Sequence, residues 1–283
     1  MPIRTTLAVL TLSIAAFSHA AVRSSMLVST DWLSGNLSDP RLVLLHVSNN
    51  RTAYDAGHLP GARFLATADF VVTREGVSNE LPAAADLKLV FEAAGVRDGS
   101  RIVLYGDSSL IPVTRAYFTL DYLGLGDNAA LLDGGLEKWR AEGKPLSKDA
   151  PAASQGSFTP KLRPELVAQM SQVTELSKTA ALVDARSAAE YRGEKGSHIP
   201  GALNIYWMDN LTGGSNQTFK QESDLRMLYE AAGIKQDRTA VAYCNSGMQA
   251  TGAYFTLKYL GYNVKVYDGS FSEWTAKNAP VEK

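Results

Sequence analysis

The sequence predicts an α/β protein of two similar domains, each a mostly parallel sheet flanked by helices. Four short blocks occur twice in the same order, and the two copies stand 135 to 140 residues apart. This spacing is far longer than a solenoid repeat, so each copy should be a whole domain. Within each copy, apolar strand-like runs alternate with amphipathic helix-like segments, which favours a parallel sheet covered on both faces.

The repeated blocks define the duplication. They are His-x-Pro-Gly-Ala at 58–62 and 198–202, Glu-Ala-Ala-Gly at 92–95 and 230–233, Ala-Tyr-Phe-Thr-Leu at 116–120 and 253–257, and Asp-Gly at 133–134 and 268–269, followed by Trp139 and Trp274. The offset between copies drifts slowly along the chain, which is typical of two copies of one domain that differ by small insertions.

Each copy predicts the same elements in the same order. In the first they are strand 42–47, helix 83–94, strand 101–105, a helix at 116–120, strand 129–132 and a last helix after the Asp-Gly turn. In the second they are strand 181–184, helix 222–232, strand 239–243, a helix at 253–257, strand 264–267 and a last helix. Gly95 and Gly233 follow the last apolar positions of the amphipathic helices, where glycine commonly ends a helix.

Residues 1–20 have the pattern of a secretory signal peptide: Arg4, an apolar run from Leu7 to Phe17, and small residues up to Ala20. The apolar run is too short for a membrane anchor, which needs about 20 residues. We therefore expect cleavage after Ala20 and a periplasmic or secreted protein that is not attached to a membrane. The remaining chain is divided into a first domain at 21–145, a linker at 146–164 and a second domain at 165–283.

The overall charge gives no reason to expect a nucleic acid or an anionic membrane as partner. The formal net charge is −1, with 20% charged and 45% hydrophobic residues. Such a balance describes an ordinary globular protein, and any positively charged site must be local.

Cys244 is the only cysteine of the chain. It follows the predicted strand 239–243 and opens a polar loop that leads into the next helix. The N–H groups of the loop and the positive end of that helix favour negative charge on sulfur, so we expect a reactive thiol. The alternative is a cysteine buried as a small hydrophobe, but the polar residues that follow it argue against burial in an apolar core. An unpaired thiol is also prone to oxidation outside the cytoplasm, so its presence in an exported protein favours a functional thiol.

The rest of the sequence narrows the chemistry of this thiol. An offset of 137 residues places Asp107 of the first copy at the position of Cys244, within an error of one residue. The first copy should therefore do no thiol chemistry and should shape the cleft or the interface. Ala250 excludes a cysteine phosphatase, whose loop needs Cys-x5-Arg to hold phosphate. His58 and His198 occur in both copies, so we interpret them as residues that stabilise a turn rather than as metal ligands or general bases.

These motifs together resemble the tandem-domain rhodaneses, the thiosulfate and 3-mercaptopyruvate sulfurtransferases. The match extends over nearly the whole chain after residue 20 and includes Asp-Ala-Arg at 184–186 and Asp-Gly-Gly-x-x-x-Trp at 133–139. The resemblance implies two rhodanese-like domains, of which only the second is active. It also implies a ping-pong reaction without metal or organic cofactor, in which Cys244 takes sulfur from a small anionic donor as a persulfide and passes it to cyanide or a thiol.

The resemblance further implies which residues bind the substrate. Arg186 is expected to bind the donor and to lower the pKa of Cys244, or else to be a structural partner of Asp184 or Glu190. Arg192 is a second candidate. The loop residues whose N–H groups are expected to hold charge on the substrate sulfur are Asn245, Ser246, Gly247, Met248 and Gln249.

The donor is open between thiosulfate, which we favour, and 3-mercaptopyruvate. Thiosulfate enzymes commonly carry basic residues in the loop, and this loop has none, while Glu190 stands where the family often has Arg. Ser246 matches a hydroxyl of the mercaptopyruvate enzymes, although stabilising the turn is the alternative. In those enzymes a first-domain His and Asp assist that serine; here residues 79–82 contain no His, and Asp69 could match the acid.

Other function classes are weighed on the same residues. A purely regulatory module would be expected to lack the cysteine in both copies. A persulfide or thiol relay to an exported protein partner is the remaining alternative. An apolar patch beside the loop would favour it, and Met248 is a candidate for such a patch.

Overall fold

The computed structural model describes residues 21–151, 154–192 and 196–283. The expected signal peptide at 1–20 lies outside these residues. Across the described part of the chain, no helix is long and apolar enough to cross a membrane.

The first domain follows the predicted alternation of strands and helices. Its elements are β1 (Leu27–Val28), α1 (Thr30–Asn36), β2 (Leu42–Ser48), α2 (Arg51–Ala56), β3 (Arg63–Ala66), β4 (Val72–Arg74), β5 (Val77–Glu80), α3 (Ala84–Ala93), β6 (Arg101–Tyr105), α4 (Ile111–Tyr122), β7 (Ala129–Leu132) and α5 (Gly135–Ala141). A short 3-10 turn, Thr67–Phe70, lies between β3 and β4.

The second domain repeats this plan. Its elements are β8 (Val167–Ala168), α6 (Met170–Thr179), β9 (Ala181–Asp184), α7 (Ala188–Arg192), β10 (Leu203–Asn204), α8 (Glu222–Ala231), β11 (Ala240–Tyr243), α9 (Ala250–Tyr259), β12 (Val264–Tyr267) and α10 (Ser270–Ala276). A 3-10 turn, Trp207–Asn210, follows β10.

Each domain has one five-stranded parallel sheet, as predicted. The strand order is β1-β7-β6-β2-β3 in the first domain and β10-β9-β11-β12-β8 in the second, which is the same order read from the opposite edge. The first domain adds an antiparallel hairpin, β4–β5, that the sequence patterns did not predict. At the equivalent place the second domain has only an isolated antiparallel bridge, Leu211 to Phe219.

The two domains meet through α4 and α9, which are equivalent helices of the two copies. Thr114 and Thr251 occupy the same position in these helices, and their hydroxyl oxygens are 2.9 Å apart across the interface. The rings of Tyr117 and Phe255 pack edge to face, with centroids 4.9 Å apart, and Phe118 and Tyr254 repeat the contact at 5.0 Å. The contact is therefore close to two-fold symmetric, like the interface of a symmetric dimer.

A buried charge cluster closes the same interface. Asp121 of α4 is fully buried and pairs with Lys258 of α9. Its second oxygen accepts a hydrogen bond from the Arg163 guanidinium at 2.7 Å, and the Tyr254 hydroxyl donates at 2.5 Å. Since every partner of Asp121 lies on the second domain or on the segment leading to it, the cluster joins the two domains.

The segment predicted as a linker packs against the first domain. Its Phe158 is 2% exposed, and the Phe158 N–H donates to Glu92 at 3.1 Å. The Ser147 backbone pairs with His58. The relative position of the domains thus rests on packing as well as on chain connection.

The Asp121→Ala variant should lose about 3–5 kcal/mol of unfolding free energy, because it leaves the buried Lys258 without its main counter-charge. Urea unfolding followed by circular dichroism measures the loss. The matched control, Asp55→Ala, removes an exposed i,i+4 partner of Arg51 and should cost under about 0.5 kcal/mol. Equal losses in the two variants would contradict the role assigned to the buried cluster.

Candidate active site

The loop 244–249 lies at the carboxyl end of β11, the middle strand of the second sheet. This is the edge at which ligands usually bind in open parallel α/β sheets. The strand end is anchored by Tyr243, whose hydroxyl accepts the Ile199 N–H at 3.1 Å. α9 begins at Ala250, directly after the loop.

Cys244 is buried, contrary to the expectation drawn from its polar neighbours. Its exposed fraction is 1%, and it packs with the hydrophobic core. The polar side chains that follow it, Asn245 and Ser246, turn outward while the cysteine turns inward. The thiol is thus buried, as in the alternative that the sequence left open, and it still faces polar backbone groups.

Several loop N–H groups face the Cys244 sulfur. Burial raises the pKa of the Cys244 thiol, while the backbone N–H groups of Ala250, Ser246, Gln249 and Gly247 lower it. Burial is the larger effect, so the thiol pKa is raised on balance. The amides nevertheless form a site that favours negative charge on a sulfur atom placed there.

Ser270 holds this loop in place. Its hydroxyl oxygen accepts the N–H groups of Cys244 at 3.2 Å and Gly247 at 3.0 Å, and the hydroxyl donates to the Tyr267 carbonyl at 2.8 Å. Ser270 has φ 53° in the left-handed region, where a non-glycine residue is strained; Gly135 has φ 54° at the equivalent position of the first domain. The second domain thus tolerates strain at a residue whose hydroxyl orders the loop.

Gly247 is required by close packing. It has φ +77°, and a Cβ atom there would lie 2.7 Å from the Asp268 carbonyl and 3.3 Å from Arg115 Nη1. Met248 and Gln249 are half-buried and lead into α9. The Met248 carbonyl accepts the Thr251 hydroxyl at 2.7 Å, while Gln249 Oε1 has no hydrogen-bond partner among the described residues.

Arg186 pairs with Asp184, which is the structural alternative that the sequence left open for it. It is 3% exposed, and its guanidinium binds the Asp184 carboxylate through Nε at 2.9 Å and Nη2 at 2.5 Å. Its remaining nitrogen lies 3.5 Å from Asn245 Oδ1. A buried carboxylate beside it takes up the charge, so Arg186 supports the loop through Asn245 and does not offer a free cation.

Arg192 is not brought to the site either. It ends α7, is exposed, and shows no contact with the loop among the described residues. Glu190 takes the place near the loop: its Oε1 accepts the Asn245 side-chain amide at 2.7 Å. Although burial raises it, hydrogen bonds from Asn245 and Ser187 hold the pKa of Glu190 below its usual value. The side chain nearest the loop entrance therefore carries negative charge.

The first domain completes the site through its β4–β5 hairpin. The Asn79 side-chain amide donates to the Ser246 hydroxyl at 2.9 Å, and the Leu81 N–H donates to Asp268 at 2.7 Å. Asn79 has φ 65°, a conformation that Asn adopts more readily than most residues. Asp69 lies apart from this contact, since its carboxylate accepts the Ala66 N–H at 3.2 Å at the start of a turn.

Arg115 is a further first-domain residue at the site. It is fully buried, and its Nη1 donates to Asp268 at 2.5 Å directly beneath Gly247. Its charge is balanced by Asp268, so it stabilises the base of the loop rather than presenting a cation to a donor.

The first-domain counterpart of Cys244 is Gly106, one residue before Asp107 and within the one-residue error of the offset. Gly106 accepts the Leu136 N–H through its carbonyl at 3.1 Å, as Cys244 accepts the Phe271 N–H at 2.9 Å. The first loop contains one additional residue, which shifts the offset by one. A side chain at Gly106 would meet Val113 Cγ2 at 2.8 Å, so this loop has no room for a thiol.

The two His-x-Pro-Gly-Ala histidines stabilise turns. His58 stacks on Tyr54 with ring centroids 3.9 Å apart, and His198 stacks on Tyr191 at 3.8 Å. Each Nδ1 lies about hydrogen-bond distance from the carbonyl of the same tyrosine, 2.9 and 3.0 Å. Within the described ranges no cluster of three or more His, Cys, Asp or Glu could hold a metal ion.

Comparison with known proteins agrees with this architecture. The sequence profile of the rhodanese-like domain matches residues 29–142 and again residues 165–277. The chain belongs to the rhodanese family. By sequence and fold it is a member of the rhodanese-family sulfurtransferases, with two tandem rhodanese-like domains.

Similar proteins cover nearly the full length of the chain. The sulfur carrier protein TtuD of Thermus thermophilus is 36% identical over 273 residues, which is 88% of this chain and 93% of that protein. A protein of Mycolicibacterium smegmatis named "Putative thiosulfate sulfurtransferase" is 32% identical over 277 residues, covering 92% and 98% of the two chains.

Solved structures with this fold include two rhodanese relatives. The structure of SseA from Escherichia coli, which presents the fold and mechanism of 3-mercaptopyruvate sulfotransferases, has a TM-score of 0.78 at 27% identity and covers 87% of this chain and 99% of that one. Wild-type EanB has a TM-score of 0.81 at 25% identity, covering 92% of this chain and 69% of that one.

Three residues of this rhodanese site did not stand out in the sequence as site residues. Ser270 follows the repeated Asp-Gly block, where the first copy has Gly135, and that asymmetry was a usable signal. Arg115 differs in the same way from Gly252 of the second copy. No local pattern marks Asn79 as a site residue, because its partner Ser246 is 167 residues away in the sequence.

The thiol reactivity of Cys244 should rise with pH beyond the range of an ordinary cysteine. Because burial raises the thiol pKa, the thiolate fraction is small at neutral pH and increases about tenfold per pH unit until the raised pKa is reached. The rate of alkylation by iodoacetamide, followed by mass spectrometry, reports Cys244 alone. The same protein unfolded in urea is the control, and a midpoint for folded Cys244 below that of unfolded Cys244 would contradict the effect of burial.

Proposed function

We propose that this protein transfers a sulfane sulfur from thiosulfate to cyanide or a thiol acceptor through a persulfide on Cys244. The observation that carries the proposal is the ring of loop N–H groups around the Cys244 sulfur, held by Ser270. No metal or organic cofactor is needed for this reaction.

The reaction divides into two displacements at sulfur. In the first, the Cys244 thiolate attacks the outer sulfur of thiosulfate; an S–S bond to the cysteine forms, the S–S bond of thiosulfate breaks, and sulfite leaves with the electron pair. In the second, cyanide attacks the terminal sulfur, a C–S bond forms, the persulfide bond breaks, and the thiolate is restored. The backbone N–H groups can stabilise negative charge on either sulfur because they are fixed before the reaction begins.

The contact between Asn79 and Ser246 favours thiosulfate over 3-mercaptopyruvate. Loss of sulfur from 3-mercaptopyruvate leaves an enolate, which needs a proton, whereas sulfite is a stable leaving group without one. A carboxamide cannot supply or relay that proton at neutral pH, and here the Asn79 amide donates to Ser246 in place of an imidazole. Ser246 is thus oriented but not activated.

Cys244→Ser should abolish thiocyanate formation from thiosulfate and cyanide, because the hydroxyl cannot form a persulfide. Wild-type protein incubated with thiosulfate should gain the mass of one sulfur atom, and the variant should not. Glu175→Gln, which alters an exposed residue of α6, is the matched control and should keep full activity. Activity retained by Cys244→Ser would overturn the mechanism.

Asn79→His should raise the ratio of the rates with 3-mercaptopyruvate and thiosulfate by about tenfold or more, since an imidazole beside Ser246 can relay a proton. Steady-state rates with both donors measure this ratio. The control Asn79→Gly tolerates the positive φ but has no side chain, so its ratio should not rise. An unchanged ratio in Asn79→His would show that the donor preference lies elsewhere.

A second candidate is a relay that passes the persulfide sulfur to a protein. It is supported by the 36% identity to TtuD, which is named a sulfur carrier protein. Met248 is half-buried beside Cys244, and Met208 is 37% exposed, so apolar surface is present on this domain. The relay uses the same Cys244 persulfide and differs from the first candidate only in its acceptor.

We also propose that the protein acts outside the cytoplasm, after removal of residues 1–20. The pattern of Arg4, the apolar run and the small residues up to Ala20 supports this. The N-terminus of the protein purified from the periplasm or medium, read by mass spectrometry, tests it: cleavage at another position or none would contradict the proposal.

A further inference from the structure

The first domain contains a cavity at the place equivalent to the Cys244 site. It has a volume of about 80 Å³ and lies between the first-domain loop that begins at Gly106 and the second-domain segment 211–219. The duplication relates this cavity to the space around Asp268, because Asp133 and Asp268 belong to the same repeated Asp-Gly turn. The contacts of Asp133 can therefore be compared with those of Asp268.

Around Asp268, a guanidinium fills the equivalent space. Arg115 Nη1 donates to one oxygen of Asp268 at 2.5 Å, and Nη2 lies 3.4 Å from the other. The Leu81 N–H, from the opposite domain, donates to Asp268 at 2.7 Å. This carboxylate is thus satisfied by one backbone amide and one planar cation.

Around Asp133, the backbone amide is present and the cation is missing. The Phe219 N–H, from the opposite domain, donates to Asp133 Oδ1 at 2.9 Å. The residue equivalent to Arg115 is Gly252, which has no side chain to reach Asp133. Among the described residues no side chain forms an ion pair with Asp133. Burial raises the pKa of Asp133, and Lys138, which is paired with Glu142, lowers it only from a longer distance.

Two further carboxylates line the same cavity. Asp107 and Glu137 both belong to its wall, and none of the described residues that line it is basic. Glu137 Oε1 accepts the Ser108 N–H at 2.8 Å, which fixes this side chain at the rim. The described lining of the cavity therefore contains three carboxyl side chains and no basic side chain.

An independent observation lies behind Asp107. His46 is fully buried, and neither of its ring nitrogens has a hydrogen-bond partner among the described residues. Its Nε2 points at Asp107 Oδ2 across 3.7 Å, which is too long for a hydrogen bond. Burial lowers the pKa of His46, so the ring is neutral and does not balance the carboxylate. The His46 ring therefore lies behind Asp107 without a hydrogen bond to it.

We propose that this cavity binds a guanidinium group, with Asp133 as its principal partner and Asp107 and Glu137 as the charged wall. The ligand class follows from the equivalent site, where the chain places its own arginine against the same carboxylate. A planar fork of N–H donors matches a carboxylate in two-point contact better than an ammonium group does. The site is separate from Cys244 and does not depend on sulfur transfer.

Methylguanidinium chloride is the probe, observed by saturation-transfer NMR on its methyl protons at constant ionic strength. The wild-type protein should show saturable binding that is tighter than that of methylammonium. Asp133→Asn should weaken it at least about tenfold, which corresponds to about 1.4 kcal/mol. Asparagine can still accept the Phe219 N–H, so the local fold should be kept.

Gly252→Arg is the second variant, because it supplies the missing guanidinium from the chain and should abolish binding of the probe. Gly252 has ordinary space around it, with Trp207 Cβ at 3.5 Å from an added Cβ. Glu175→Gln on α6 is the matched control and should bind as wild type does. Thermal unfolding checks that each variant is folded. Unchanged binding in folded Gly252→Arg, or equal binding of methylguanidinium and methylammonium, would overturn the proposal.

Discussion

The packing of α4 against α9 is the contact on which the rest of the structure depends. The equivalent residues Thr114 and Thr251 touch at its centre, and the buried Asp121–Lys258 pair closes one end. Because these are equivalent helices, their contact brings the segment around Leu81 of the first domain to the Asp-Gly turn of the second. In the same way it brings the segment around Phe219 of the second domain to the Asp-Gly turn of the first. The β4–β5 hairpin reaches the Cys244 loop for this reason, and the active site is consequently shared between the domains.

The site combines a buried thiol with a fixed polar backbone. Burial raises the pKa of Cys244, and four loop N–H groups oppose that effect. A neutral thiol is protected in the resting protein, while the same amides favour a charged sulfur once one is present. Two arginines near the loop are already paired, Arg186 with Asp184 and Arg115 with Asp268. The groups that face the sulfur are therefore backbone amides rather than free cationic side chains.

The duplication explains both what the first domain has lost and what it has kept. Gly106 stands in place of the cysteine, and its loop is closed by Val113, so thiol chemistry is sterically excluded there. The Asp133 turn and its contact with the Phe219 N–H remain. Gly252, however, stands where the other copy has Arg115, so no equivalent arginine reaches this carboxylate. Differences at single equivalent positions, Cys244 against Gly106 and Arg115 against Gly252, therefore distinguish the two sites.

The sequence by itself determined the two-domain α/β plan, the place of Cys244 at a strand end, the strands β2, β6, β7, β9, β11 and β12, and the helices α3, α4, α5, α8, α9 and α10. These follow from local patterns and from a repeat, both of which are visible along one chain. The burial of Cys244, the pairing of Arg186 and the contacts of Asn79 and Arg115 were decided only by tertiary structure. They depend on groups from different elements, in two cases from different domains, and a polar neighbour in sequence does not say which way a side chain turns. The extra residue of the first-domain loop could be located only from the equivalent backbone contacts of Gly106 and Cys244. An offset read from the flanking blocks does not say where between them an insertion lies.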